Sequence, residues 1–144
     1  MSAAGRDLLA ASRREQELYA ALLDAYQALA ERMAAAPEAL DAPDVQGWHE
    51  RAGALVADLA AIQAVLGPQR TSGEPVASAI RDCWRASAEL AAKAAEACRL
   101  LLGTAQAGQR RLQARLDELA SGRRGLAGYR PRPDVRGHVA QQRA

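Results

Sequence analysis

Apolar residues recur along most of the chain at spacings of three and four, the period that lines side chains up on one face of an α-helix. In the first segment, from about Ser2 to Ala36, Leu8, Tyr19, Leu22, Tyr26, Leu29 and Met33 follow that spacing and its sums. Leu9, Leu18 and Leu23 widen the stripe, as expected of a helix that touches two neighbours. Pro37 closes the segment, because the residue before a proline is pushed out of the α region.

The second segment has the cleanest register, with Val45, Trp48, Ala52, Leu55, Leu59, Ile62 and Leu66 alternating steps of three and four. Asp41 stands where an N-cap belongs, Pro43 fits a first turn and Asp44 sets a negative charge against the positive end of the helix dipole. Gly67 and Pro68 supply the expected stop. A third pattern opens at Glu74 and Pro75 and runs to about Ala120 on Val76, Ile80, Cys83, Ser87, Leu90, Ala94, Cys98, Leu101, Ala105, Gly108, Leu112, Leu116 and Leu119. At 1.5 Å per residue it would span roughly 68 Å, longer than either earlier helix, so its C-terminal third should overhang them. Gly103 and Gly108 weaken its middle by about 1 kcal/mol each relative to alanine, which favours a bend there.

These elements predict an all-α fold, an antiparallel three-helix bundle or coiled coil with a long third helix. Residues 1–120 form the bundle, with helices at about 2–36, 42–66 and 74–120, and residues 121–144 form a flexible arginine-rich tail. Gly122, Gly125, Gly128, Pro131, Pro133 and Gly137 leave no helix of useful length in that tail. Composition points the same way. Hydrophobic residues make up 49% of the chain, much of it alanine, while phenylalanine is absent and aromatics reach only 3%, which suits narrow helix seams.

Charge is unevenly spread. Residues 1–73 carry six arginines against ten acids, residues 74–120 seven basic side chains against six acidic, and residues 121–144 six arginines against Asp134 alone. A basic arm attracts nucleic acid, anionic lipid or an acidic protein, and charge does not choose among them. The N-terminus has no basic start followed by an apolar run, and no stretch approaches about 18 uninterrupted apolar residues, so a cytoplasmic protein without a membrane span is expected.

Candidate chemistry is sparse. His49 and His138 stand alone, without the spacing a metal site needs, and no cofactor is implied. Cys83 and Cys98 lie fifteen residues apart on one helix, too far to bridge each other, and read as small core residues. No phosphate-cradling glycine loop is present, and carboxylates such as Glu15, Glu17 and Asp24 beside Arg13 and Arg14 read as a solvated helix surface. Trp48, Trp84, Tyr19 and Tyr26 lie on or beside the stripes and read as core. An enzyme needs a convergent polar constellation, and none is legible.

Two helices, a short linker, a longer third helix and a Gly-, Tyr- and Pro-bearing arm together resemble the flagellar-export chaperones of the FlgN type, which serve hook–filament junction proteins. The resemblance is carried by the opening stretch Leu18 to Leu29, by the Glu- and Arg-bearing second helix and by the ending Gln113 to Pro131. It implies a non-catalytic cytoplasmic chaperone that holds type III secretion substrates through the end of its last helix and the segment beyond. Here that would fall on Leu112, Leu116, Leu119, Leu126 and Tyr129, with Arg123 and Arg124 beside them. The richness in alanine and the basic tail depart from the family's pattern. Two rival readings use the same features, a nucleic-acid-binding protein contacting phosphates with the arm, and a structural coiled coil assembled between chains.

Overall fold

The computed structural model describes residues 1–35 and 42–128. They form three helices, α1 (Ala3–Ala35), α2 (Ala42–Thr71) and α3 (Ser78–Gly128), and no strand occurs among the described residues. The chain is an all-α helical bundle, as its periodicity implies. Pro37, Asp41 and Tyr129, with the rest of the arm to Ala144, lie outside the described residues. The chain divides into two units, Met1–Gly103 and Thr104–Ala144, the boundary falling at one of the two glycines expected to weaken α3.

Local chemistry explains most helix ends. Ser2 caps α1, its Oγ accepting the Gly5 N–H at 3.0 Å, and so satisfies a donor that the first turn would leave open. The expected stop of α2 at Gly67 and Pro68 does not occur, because the helix continues through Pro68 to Thr71. Proline inside a helix costs about 3 kcal/mol by removing one N–H donor and crowding the turn before it. The extra turn regains contacts that offset this: Thr71 Oγ1 donates to the Gly67 carbonyl at 3.0 Å, and Arg70 is carried onto α1. The chain leaves the helix at Gly73, whose φ of 69° lies in the left-handed region that glycine enters without strain.

α3 likewise departs from its expected bounds at both ends. It starts at Ser78 and not at Glu74; the N–H groups of Ile80 and Arg81 both donate to the Ala77 carbonyl, at 3.0 and 3.2 Å, and open the first turn there. It ends at Gly128 and not near Ala120, which corrects the reading of residues 121–128 as a flexible stretch. Gly122 and Gly125 each cost about 1 kcal/mol, but extending a formed helix needs no new nucleus, and the next proline is Pro131.

Within residues 1–103 the core follows a seven-residue repeat. Leu18 and Ala25 of α1, Ala52, Leu59 and Leu66 of α2, and Ile80, Ser87, Ala94 and Leu101 of α3 are all buried. Each fully buried leucine or isoleucine contributes roughly 1.5–3 kcal/mol, so a few large residues supply most of the driving force while the alanines let the helices approach. Polar pairs along the seam fix its register. From Glu15–Arg70 through Tyr19–Gln63 and Ala25–Trp48 to Arg32–Asp44, positions rise along α1 as they fall along α2, so these two helices run in opposite directions.

The segment Asp44–Thr71 is long and apolar enough to cross a membrane by length and composition alone. In the fold that same helix delivers Ala52, Leu59 and Leu66 to the core. It also carries Asp58 near its middle, a residue that costs about 2.5–3.5 kcal/mol at the centre of a bilayer.

Candidate partner-binding surface

Leucine is a strong helix former, and alternating steps of four, three and seven place Leu112, Leu116, Leu119 and Leu126 within an arc of about 80° on α3. All four are exposed, between 51 and 76%, although a leucine that could be buried would gain about 1.5–3 kcal/mol. Arg123 falls within the same arc, between Leu112 and Leu116 around the helix. Arg115 borders one edge with Arg111 further round, while Arg124, Glu118 and Asp117 all lie toward the back.

From Thr104 to Gly128 the balance is five arginines against two acids, and the row is an apolar strip with Arg123 within it and Arg115 along one edge. Arg124 Nε leans onto the Ala120 carbonyl at 3.4 Å, and Gln113 donates to Asp117 at 3.0 Å, which ties up one of the acids. Of the residues expected at the site, Leu112, Leu116, Leu119, Leu126, Arg123 and Arg124 thus share one helix end, and all are exposed. No family model matches the chain, and neither a curated protein nor a solved structure matches it.

A second polar arrangement lies inside residues 1–103, and the sequence reading did not anticipate it. Glu15, expected on a solvated surface, is only 1% exposed and is held by Arg70, Nη1 to Oε2 at 2.9 Å and Nη2 to Oε1 at 2.5 Å. Arg70 also lies over the Trp84 ring, 5.1 Å from guanidinium carbon to ring centroid. Trp84 Nε1 donates to Ser12 Oγ at 2.9 Å, and the Ser12 hydroxyl donates in turn to the Leu8 carbonyl at 2.8 Å. One network therefore joins all three helices.

The signal for it was present in the spacing. Positions 12 and 15 fill the gap between Leu8 and Tyr19 in steps of four and three, so Ser12 and Glu15 had to face the core or interrupt the stripe.

The remaining candidates sit as follows. Trp48 is half-buried, donates Nε1–H to the Ala25 carbonyl at 2.8 Å and tilts against Tyr26 with ring centroids 5.7 Å apart. Cys83 and Cys98 are free thiols and half-buried. Burial raises the Tyr26 pKa above its ordinary 10.0, and the charge on Cys98 together with a hydrogen bond to it pushes the same way. His49 is exposed, and among the described residues no three His, Cys, Asp or Glu side chains gather as metal ligands would.

Proposed function

We propose that this chain is a non-catalytic binding module that holds a partner protein on the leucine row of α3. The observation that carries this reading is the exposure of Leu112, Leu116, Leu119 and Leu126 on one face of a helix. Such a row is read by an amphipathic segment that lays its own apolar face against it, and Arg123 within the row and Arg115 at its edge favour a segment bearing Asp or Glu. The resemblance to FlgN-type chaperones supports the more specific assignment, a cytoplasmic export chaperone that keeps a secretion substrate such as a hook–filament junction protein from assembling too early. In that role Tyr129 and the arm would extend the same surface. The nucleic-acid reading depends on the arm's arginines, and the structural coiled coil on pairing of the leucine row between chains.

Affinity capture from cell extract treated with nuclease, using the full chain and a chain ending at Ala120, tests the assignment. Recovery of one protein species, lost when Leu116→Asp and Leu119→Asp are combined and retained at high salt, is the expected result. Recovery of nucleic acid alone in untreated extract, lost at high salt and with the arm, would overturn it in favour of phosphate binding. Light scattering after size exclusion that shows a leucine-dependent dimer would overturn it in favour of the coiled coil.

A further inference from the structure

Between Thr104 and Gly128 the exposed row keeps a seven-residue repeat. Ala105, Leu112, Leu119 and Leu126 occupy one position of it, and Gln109, Leu116 and Arg123 the other, so a helix laid along this face meets them in alternating layers. Arg123 thus stands at a seam position, one turn after Leu119 and one turn before Leu126. It is exposed, and the residues three and four positions away are Leu119, Ala120, Leu126 and Ala127, so its own helix offers it no carboxylate. Asp117 and Glu118 point toward the back.

A helix that covers the row takes Arg123 out of water, and a guanidinium without water or counter-charge is costly, which restricts what the row accepts. A second copy of this chain fits poorly in either direction. Parallel pairing in register sets Arg123 against Arg123. Antiparallel pairing exchanges the two seam positions, so Arg123 then meets a leucine or alanine layer. In neither case do Asp117 and Glu118 reach the seam. A wholly apolar helix strands the charge as well. Given the reading of this row as a protein-binding surface, we infer that it accepts a helix of a different protein that presents Asp or Glu in the layer facing Arg123, and that this ion pair selects the partner and sets its register. The leucines supply affinity that many apolar helices share. Arg123 supplies the discrimination, because a wrong partner leaves it buried and unpaired. Arg115, at the edge, acts chiefly on the rate of encounter.

The test follows binding of fluorescein-labelled peptides to the full chain by anisotropy at physiological salt. Two probes copy residues 104–128, one unchanged and one carrying Arg115→Glu and Arg123→Glu, which brings a carboxylate within a turn of Arg123 whether the peptide lies parallel or antiparallel. The acidic probe is expected to bind saturably and at least about tenfold more tightly than the unchanged one. Arg123→Glu in the full chain should reverse that order. Arg124→Glu makes the same change of charge at the back of the helix and should leave the order in place. Both positions are exposed, and circular dichroism checks the fold of each variant before titration. Equal binding of the two probes, or an Arg124→Glu effect as large as that of Arg123→Glu, overturns the inference and leaves the row a helix-binding surface. Failure of both probes to bind overturns the reading of the row itself. A full chain that dimerises through its leucines in light scattering would overturn the choice of a different protein as partner.

Discussion

Removing the guanidinium of Arg70 is the sharpest test of how the three helices are held in register. Arg70→Met keeps an aliphatic stem over Trp84 but leaves the Glu15 carboxylate, 1% exposed, with no cation. Breaking a fully buried pair from one side costs about 3–5 kcal/mol. Arg70 is 30% exposed, so water screens part of this interaction, and a loss of about 2–3 kcal/mol is expected. Glu15→Gln is milder, because the amide oxygen still accepts from Arg70 and the guanidinium can turn toward water, so the cost falls near 1 kcal/mol.

In a unit of this size each kcal/mol moves the unfolding midpoint by roughly 4–8 °C. Thermal melts followed by far-UV circular dichroism should therefore drop by about 10–20 °C for Arg70→Met and about 5 °C for Glu15→Gln. The double change Glu15→Leu with Arg70→Met should lie within about 1 kcal/mol of the parent, since an apolar pair replaces a desolvated ionic one. If the two single variants melt alike and the double loses the sum of both, the pair is a surface contact and the reasoning is wrong.

Other perturbations separate the leucine row from the core. Leu116→Asp with Leu119→Asp should leave the melting midpoint within about 3 °C of the parent, because both residues are exposed, while partner capture is lost; a fall as large as that of Arg70→Met would make them core residues. Ending the chain at Ala120 removes exposed helix from 121 to 128 and should cost less than about 1 kcal/mol in urea unfolding. Trp48→Phe should cost about 1 kcal/mol by removing the indole N–H bond across the seam to the Ala25 carbonyl, which keeps its bond within α1.

Tyr26 sets an alkaline limit. Its pKa is raised in the folded chain by burial first and by Cys98 second, so the folded state keeps a proton that the unfolded state releases. Its contribution is fully present below pH 10.0 and is lost as pH rises through the higher folded value. Urea midpoints should fall above pH 10 and fall less steeply in Tyr26→Phe; identical slopes would remove Tyr26 from the account.

Helix number and approximate position were legible because each depends on a period repeated over many residues, which no single exception can erase. The ends were less legible because each turns on a few contacts. Gly67 and Pro68 are a strong local stop, yet the Arg70–Glu15 pair, formed across 55 positions, carries α2 past them. Gly122 and Gly125 are poor helix residues, yet they follow a helix already formed. At the candidate surface, Leu112, Leu116, Leu119 and Leu126 could be found from spacing alone, since an exposed face needs no partner from elsewhere in the sequence.

The interior polar network shows where residue type misled and position would not have. A carboxylate is usually solvated, and on that ground Glu15 was assigned to the surface, but its place in the row Leu8, Ser12, Glu15, Tyr19, Leu22 puts it on the face that α2 and α3 cover. A polar residue at a core position requires a partner, and the partner constrains the fold: Glu15 draws Arg70 onto α1, and Ser12 orients the Trp84 ring that Arg70 covers. Ser87 occupies the equivalent position on α3, seven residues after Ile80 and seven before Ala94, and is the member of this set whose side chain finds no protein partner. Of the three core positions with polar side chains, Ser12 and Glu15 therefore tie neighbouring helices together, while Ser87 is accommodated by the small residues of the seam without a side-chain bond to the protein.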